Sequence, residues 1–321
     1  MTVHITGSTG FVGSNLVSYL TLNRPTTLLL PVRRKAGPSP YCNLQQELEL
    51  SHGALVHLAG KAHDTAGTFS DQQDLDEYEI ANFSSTKQVF DQFMASSLEK
   101  FIFVSSVKAV ADQTVGTLDE DAVPRPVTRY GQSKLRAEEY IRSWDWGDKK
   151  VYIIRPCMIH GRGNKGNLNL LYQFVRLNIP YPLGAFVNAR SLLGVENAMY
   201  VIDRLLFSDV ESGVYNVADD EPLSTIEMVQ IIGDTLGRHV RIAKVPITIV
   251  RTGAKFGDRL PLPLNSERLV KLTEDFVVTN RKLKGALGIQ AMPVTVKDGL
   301  RHTVQALQEN QRQRNPTWRA Q

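Results

Sequence analysis

The stretch Gly7-Ser8-Thr9-Gly10-Phe11-Val12-Gly13 decides the fold of this chain because of what stands on either side of it. A short β-rich run, Thr2–Thr6, precedes it, and the apolar residues of Ser14–Leu20 that follow recur at helical spacing. A second β-rich run comes at Thr26–Leu30. A strand, a tight glycine turn, a helix and a second strand in this order predict a βαβ unit.

The same alternation of strands and helices continues along the chain. Further strands are predicted at Ala54–Leu58, Phe101–Val104 and Val151–Ile154, and helices at 77–97 and 130–143. Strands that alternate with helices in this way are typical of a parallel sheet with helices on both faces. We therefore expect an α/β protein built on a doubly wound parallel sheet.

The second half of the chain has shorter elements and more prolines. We expect a dinucleotide-binding domain over 1–160, a smaller mixed lobe that binds substrate over 161–310, and a polar tail over 311–321 that frays from about Gln308. The run 213–217 has the pattern of a strand that completes the main sheet. Between the second and third strands there is little room, so Asn43–Leu50 is expected to form at most a short helix in a shortened crossover.

Composition narrows the class of protein. The chain has 321 residues, of which 42% are hydrophobic and 22% charged, and a net charge of +4. These values exclude a disordered chain, a collagen-like repeat and a coiled coil. The densest basic run, Arg33-Arg34-Lys35, is too short for a nucleic-acid patch, and Cys42 and Cys157 form no paired motif. With no secretory signal or membrane-spanning run in the sequence, we expect a cytoplasmic protein without a nucleic-acid partner and without membrane insertion.

The glycine turn has a physical use. Gly7, Gly10 and Gly13 open a helix directly after a strand, where a pyrophosphate can approach backbone N–H groups that larger side chains would cover. An ordinary glycine turn is the alternative, and the strand–turn–helix context favours the dinucleotide site.

Tyr130 and Lys134 stand four residues apart and therefore share one face of the predicted helix. A phenol is a poor base near neutral pH, but a neighbouring ammonium favours the phenolate and lowers its pKa. Such a pair is suited to moving a proton to or from a sugar oxygen. Alone, the alternative of a solvated surface pair would be the better interpretation, since this spacing is common on helices.

Several motifs together resemble the extended branch of the short-chain dehydrogenase/reductase superfamily, and within it the NAD-dependent epimerase/dehydratase family. That resemblance implies a Rossmann-type fold with bound NAD or NADP. His160 departs from the family pattern, where a tyrosine is usual. The motifs are the glycine turn, His57-Leu58-Ala59-Gly60, Ser105-Ser106, Tyr130-Gly131-Gln132-Ser133-Lys134, Arg155–Gly161 and Gly213–Pro222.

The resemblance also implies roles for individual residues. Ser106 would bond the reacting oxygen, Tyr130 would exchange the proton, and Lys134 would bind the nicotinamide ribose and lower the tyrosine pKa. For Ser106 the alternative role is a turn or helix-cap serine, and for Asn82 it is a helix N-cap. The implied cofactor contacts are Gly7, Thr9, Gly10, Phe11, Val12, Gly13, Leu58, Ala59, Gly60, Asn82, Ser105, Tyr130, Lys134 and Pro156.

The choice between NAD and NADP depends on the end of the second strand. NAD-preferring members carry an acidic residue there that binds the adenosine ribose. Here Leu28–Leu30 runs into Pro31, Val32, Arg33 and Arg34, with no carboxylate. Two arginines suit a 2′-phosphate, so NADP is favoured over NAD. In the alternative, both arginines are solvated and NAD binds without the acidic contact.

The substrate implied by the resemblance is a sugar attached to a nucleoside diphosphate. Asn167 and Arg190 are the candidate substrate contacts in the second lobe, together with Ser106 at the reacting oxygen. Arg190 matches an arginine of the family that contacts the diphosphate, although Ser191 stands where that motif has aspartate. A homodimer is the usual assembly of the family.

The reaction can be narrowed from the residues that follow Ser106. Family 4,6-dehydratases carry Asp and Glu directly after this position, whereas Val107 and Lys108 stand here. The run instead resembles 4-epimerases and 4-keto reductases of surface polysaccharide synthesis. Two other classes stay open: an NADPH-dependent reductase of a non-nucleotide carbonyl, and a non-catalytic dinucleotide sensor, which the presence of both Tyr130 and Lys134 disfavours.

Overall fold

In a computed structural model, the described residues are 1–32, 52–61, 77–164, 168–258 and 265–314. Apolar runs rich in Val, Ile and Phe form the strands, as their β-propensity predicts. The strands are β1 Thr2–Thr6, β2 Leu28–Val32, β3 Gly53–His57, β4 Lys100–Val104, β5 Thr117–Leu118, β6 Lys150–Pro156, β7 Met158–His160, β8 Leu192–Gly194, β9 Gly213–Val217 and β10 Val277–Val278.

Helices connect these strands. A π-helical segment, Glu79–Ser84, leads into the second helix, and a 3₁₀ turn, Val107–Ala109, follows β4. The α-helices are α1 Phe11–Asn23, α2 Ser85–Ala95, α3 Arg129–Arg142, α4 Leu168–Arg176, α5 Val195–Phe207, α6 Thr225–Thr235, α7 Ile247–Gly257, α8 Ser266–Thr273, α9 Arg281–Leu287 and α10 Val296–Arg314.

The main sheet has six parallel strands in the order β2-β1-β3-β4-β6-β9. From β1 the chain moves outward to β2 and then returns to build the other half from β3. The order therefore reverses between β1 and β3, and ligands of open α/β sheets bind beyond the carboxyl ends of strands at such a point. This is the doubly wound, Rossmann-type sheet that the sequence predicts.

The two faces of the sheet bury different helices. Along β4, Phe101 and Phe103 pack with residues of α2 and α3, whereas Ile102 between them packs on the side of α1 and α5. This follows from the two-residue period of a strand, which sends alternate side chains to opposite faces. Both faces of the central strands are covered, as a parallel sheet requires.

Residues of the second half of the chain belong to two apolar clusters, one on the main sheet and one separate from it. Helix α5 packs on the main sheet through Val201 and Leu205, and β9 is the edge strand of that sheet. A separate apolar cluster joins α4, α6, α8 and α10. Two small parallel sheets, β7–β8 and β10–β5, link the regions. The division into 1–160 and 161–310 stays a prediction.

The structure changes two details of the expected secondary structure. Helix α10 continues to Arg314, beyond the point near Gln308 where a fraying tail was expected. The helix predicted over 77–97 contains the π-helical segment, which places Asn82 in its interior rather than at its start. The short helix expected at Asn43–Leu50 lies outside the described residues.

Candidate active site

The glycine turn packs tightly against the end of β3. Gly7 has a φ of +69°, and a Cβ atom there would lie 2.8 Å from the backbone nitrogen of Ala59. At Gly13 a Cβ atom would lie 2.2 Å from the carbonyl oxygen of Gly7. Contacts this short with backbone atoms leave no room for a side chain, so both positions require glycine.

The start of α1 is open to an anion. Gly10 is the N-cap residue and offers no side chain to the first-turn N–H groups, while its own N–H donates to Gly7 O at 3.0 Å. The first turn of α1 also contains no acidic residue. Uncapped N–H groups at a helix N-terminus fit a pyrophosphate, and Thr9, Phe11 and Val12 lie at this turn.

The loop that follows β3 lies beside the glycine turn. The Leu58 N–H donates to Thr6 O at 3.3 Å and the Ala59 N–H donates to Thr6 Oγ1 at 3.2 Å, which holds this loop beside the glycine turn. A Cβ atom at Gly60 would lie 2.7 Å from Asn82 Oδ1 and 3.3 Å from Lys134 Nζ. The loop 58–60 therefore touches both the expected pyrophosphate turn and the expected catalytic lysine.

Asn82 is a brace between two loops. Its Oδ1 accepts from the Lys61 N–H at 2.8 Å, and its Nδ2 donates to Lys61 O and to Ser133 Oγ, each at 3.0 Å. Ser133 Oγ in turn donates to Tyr130 O at 2.8 Å. The alternative of a helix N-cap is wrong, because Asn82 is fully buried within the π-helical segment and ties the β3 loop to α3.

The described structure brings Ser106 and Tyr130 together. The Ser106 side chain lies beside the Tyr130 phenol and acts to lower the pKa of that group. Ser106 caps the 3₁₀ turn after β4, where its Oγ accepts from the Lys108 N–H at 3.2 Å. Thr128 Oγ1 caps α3 by accepting from the Gly131 N–H, which fixes the helix start beside Tyr130. Ser106 therefore also has the capping role considered for it, alongside its contact with the tyrosine.

Lys134 is buried one turn beyond Tyr130. Its Nζ donates to Val104 O at 3.0 Å and lies 4.9 Å from the Phe103 ring centroid. Burial lowers the pKa of Lys134 to about 8, while the nearby Glu138 carboxylate acts in the opposite direction. The ammonium is thus placed at the carboxyl end of β4, beside the crevice between the two halves of the sheet.

The electrostatics of Tyr130 differ from the sequence-based expectation. Burial raises the pKa of Tyr130, and the Ser106 side chain opposes that rise. The lowering expected from Lys134 is absent in this state, since the ammonium is directed to the Val104 carbonyl.

A buried ion pair joins helix α3 to strand β6, and it was not predicted from the sequence. Glu138 accepts from Arg155 Nη2 at 2.6 Å and from Ser105 Oγ at 2.5 Å, and the side chains of both Glu138 and Arg155 are almost fully buried. A carboxylate four residues after Lys134, on the inward face of an amphipathic helix, is the signal that could have revealed it. Ser105 is thus turned toward this pair, and Pro156 ends the adjoining strand β6.

Arg190 lies at the junction with the second lobe. Its backbone pairs with Leu223 and Phe276, its Nη1 donates to Glu274 O at 3.3 Å, and burial lowers its pKa. The Nζ of Lys108, two residues after Ser106, sits 4.5 Å from the Phe276 ring centroid. Lys108 was not among the predicted site residues, yet it links Ser106 to the neighbourhood of Arg190.

Three predicted site residues are not placed by the structure. Arg33, Arg34 and Asn167 lie outside the described residues, so their contacts stay predictions. Within the described ranges, no cluster of three His, Cys, Asp or Glu side chains could hold a metal ion. No helix in the described part of the chain is long and apolar enough to cross a membrane.

Comparison with known proteins identifies the family. Residues 3–218 match the model of the NAD dependent epimerase/dehydratase family. The chain is 31% identical to a UDP-glucose 4-epimerase of Vibrio cholerae over 96% of both chains. The chain belongs to the NAD dependent epimerase/dehydratase family, whose cofactor is a nicotinamide dinucleotide.

Solved structures share the fold. MoeE5 in complex with UDP-glucuronic acid and NAD has a TM-score of 0.72 and 20% identity, over 97% of this chain and 100% of that one. RMD from Pseudomonas aeruginosa complexed with NADPH has a TM-score of 0.73 and 22% identity, over 95% of this chain and 99% of that one. One neighbour holds NAD and the other NADPH, so the likeness does not select between them.

Proposed function

We propose that this protein is an NAD(P)-dependent enzyme that oxidises or reduces C4 of a nucleotide sugar, as a 4-epimerase or a 4-keto reductase. The position of Ser106 beside Tyr130, one turn from the buried Lys134, is the observation that carries the proposal. This arrangement supports a role for the Tyr130 phenol in proton exchange at the crevice where the glycine turn would hold a dinucleotide.

The chain's own residues have distinct tasks in this reaction. Tyr130 Oη takes the proton of the C4 hydroxyl during oxidation and returns it during reduction, and Ser106 Oγ holds the reacting oxygen by a hydrogen bond. Lys134 would bind the nicotinamide ribose, and the turn at Gly7–Gly13 would bind the pyrophosphate. The nicotinamide, when bound, accepts or donates the hydride.

The cofactor would be NADP rather than NAD. The proposal depends on Arg33 and Arg34, which directly follow β2, where an acidic residue would favour NAD. Charge-assisted bonds to a 2′-phosphate are the natural use of two arginines at this position. Identifying the nucleotide released from the purified, denatured protein tests this preference, since stoichiometric NAD⁺ would contradict it.

The substrate would be held through its diphosphate. Arg190 and Asn167 are the proposed contacts, and Lys108 and Lys271 lie near Arg190, with the carboxylates of Asp112 and Glu274 in the same surroundings. Val107 and Lys108 supply no carboxylate after Ser106, which speaks against elimination of water and leaves epimerisation or reduction. The proposed setting is synthesis of sugars for surface polysaccharides, and a homodimer stays a prediction.

The test is a product assay on UDP- and GDP-linked hexoses and their 4-keto derivatives, followed by NMR. We expect a change of configuration or of oxidation state at C4. A second measurement compares the thermal stability of the protein with and without UDP or GDP, since a ligand that binds the folded state raises its stability. Turnover of a non-nucleotide ketone without such protection would instead favour a reductase of small carbonyl compounds.

A further inference from the structure

The segment that follows β4 packs closely against the start of α3. It runs from Ser106 through a 3₁₀ turn to Asp112. A Cβ atom on Gly131 would collide with the carbonyl oxygen of Lys108, so the close approach depends on the missing side chain. At the beginning of the segment, Ser106 lies beside Tyr130, the residue before Gly131.

At the other end of the segment, the Asp112 carboxylate binds the residues that lead into α3. Its Oδ2 accepts from the Val127 N–H at 2.7 Å and from the Thr128 N–H at 3.0 Å, and its Oδ1 accepts from the Thr128 hydroxyl at 3.0 Å. Thr128 is the N-cap residue of α3, and its Oγ1 accepts in turn from the Gly131 N–H at 3.2 Å. One carboxylate therefore holds the start of the helix that carries Tyr130.

Asp112 is itself fixed within the segment. The Lys108 Nζ donates to Asp112 O at 2.6 Å and lies 3.9 Å from Asp112 Oδ1. The Asp112 side chain is 19% exposed, so its bonds are largely shielded from water. Hydrogen bonds to a carboxylate are stronger than those between neutral groups, and Asp112 accepts three from Val127 and Thr128.

We propose that Asp112 is a positioning residue for the proposed reaction: its carboxylate clamps the start of α3 to the segment 106–112 and so sets the Tyr130 phenol against Ser106. The inference rests on the proposed function, in which Ser106 and Tyr130 act on the same sugar oxygen. A misplacement of about 1 Å between such groups can cost on the order of 10²-fold in rate. The alternative is a purely structural role, in which Asp112 stabilises its loop without effect on Tyr130.

The experiment compares Asp112→Ala with Asp112→Asn. An asparagine can accept both backbone N–H groups through Oδ1 and donate to Thr128 Oγ1 through Nδ2, whereas an alanine makes none of these bonds. With a UDP- or GDP-linked 4-keto hexose as substrate, kcat of Asp112→Ala should fall by roughly tenfold to 10²-fold, with KM and NADPH affinity nearly unchanged. Asp112→Asn should restore most of that loss.

Two further variants separate positioning from stability. In a Tyr130→Phe background, Asp112→Ala should lower kcat by no more than about twofold, since the hydroxyl group that it positions is already gone. Asp119→Ala is the matched control, because Asp119 accepts from the Asp121 N–H on an exposed turn of the same connection. It should leave kcat unchanged. Equal losses of kcat in Asp112→Ala and Asp119→Ala, a loss confined to KM, or a full additional loss in the Tyr130→Phe background would overturn the inference.

A second measurement needs no substrate. The Gly131 N–H bonds Thr128, so its hydrogen exchange reports on the helix start one step away from Asp112. Exchange at Gly131 should be roughly tenfold faster or more in Asp112→Ala and unchanged in Asp119→Ala. Unchanged exchange in Asp112→Ala would overturn the inference. A wild type that turns over no nucleotide sugar, with exchange responding as expected, would contradict the proposed function and leave the clamp supported.

Discussion

The Arg155 guanidinium donates hydrogen bonds from Nε and Nη2 to Glu138 Oε2, at 3.0 and 2.6 Å. Both side chains are almost fully buried. Arg155 belongs to β6 and Glu138 to α3, the helix that also carries Tyr130 and Lys134. The pair therefore fixes the rotation and height of α3 against the sheet. A hydrogen bond from Ser105 at the end of β4 adds a third anchor to the same carboxylate.

The first prediction concerns this ion pair. Glu138→Gln should destabilise the fold by about 3–5 kcal/mol, because it leaves a buried guanidinium without its counter-charge. Urea unfolding monitored by circular dichroism measures the change. The double variant Glu138→Leu with Arg155→Leu should lose less stability than Glu138→Gln, since no charge is then left buried. A loss below about 1 kcal/mol for Glu138→Gln would show that the pair does not hold α3 in place.

A second prediction concerns Tyr130. Tyr130→Phe should keep cofactor affinity and lose turnover on the order of 10²-fold or more, since only the proton-exchanging hydroxyl is removed. Tyr140→Phe is the matched control on the same helix, because the Tyr140 hydroxyl bonds Asp91 away from the crevice. Steady-state kinetics and cofactor titration distinguish the two variants. Near wild-type turnover of Tyr130→Phe would remove Tyr130 from the mechanism.

A third prediction tests the glycine turn. A methyl group at Gly13 would meet Gly7 O at 2.2 Å, so Gly13→Ala must displace the turn that faces the expected pyrophosphate. Cofactor affinity should fall by more than about tenfold, with a loss of stability of roughly 1–3 kcal/mol from overpacking. Gly285→Ala on α9 is the control, since a Cβ atom there meets nothing within 4 Å. Calorimetric titration that finds equal affinity in both variants would contradict the turn's assignment.

A fourth prediction uses the pKa of Lys134, lowered by burial from 10.5 to about 8. The folded state holds this proton more weakly than the unfolded state, so the cost to stability is fully present below pH 8 and is relieved as pH rises toward 10.5. Lys134→Met removes that cost. Between pH 7 and pH 9.5, the free energy of unfolding of the wild type should therefore rise by roughly 2 kcal/mol relative to that of Lys134→Met. A difference independent of pH would mean that Lys134 has an ordinary pKa.

A fifth prediction addresses cofactor choice. Arg33→Ala with Arg34→Ala should weaken NADPH binding by roughly 10-fold or more and leave NADH binding nearly unchanged, because only NADPH carries the 2′-phosphate. Fluorescence titration with both nucleotides measures the two affinities. Equal losses for NADPH and NADH would contradict a 2′-phosphate site at these arginines.

The sequence predicted the sheet well because its signals are local. The apolar run of β4 and the glycine turn each depend on neighbouring residues, so strands β1, β3, β4, β6 and β9 fall within a few residues of their predicted bounds. The contacts of Glu138, Asn82 and Lys108 depend on distant segments that pack against them. Their residue types are compatible with surface positions, and only the assembled fold shows the partners that bury or orient them.

The pKa of Tyr130 illustrates the same limit. The four-residue spacing correctly placed Lys134 one turn away, but spacing does not determine where a flexible ammonium points. Val104 O and the Phe103 ring, both contributed by β4, draw the ammonium toward the strand end. The expected electrostatic effect on the phenol therefore could not be derived from the helix alone.

The most direct test of the proposed reaction follows one hydrogen atom. The protein is given reduced cofactor carrying deuterium at the transferable position of the nicotinamide, together with a nucleotide-linked 4-keto hexose, and the product is analysed by NMR. The account predicts one deuterium at C4 of the sugar, formed at least about 10²-fold more slowly by Tyr130→Phe. Deuterium at another carbon of the sugar, or its absence from every nucleotide sugar offered, would contradict it.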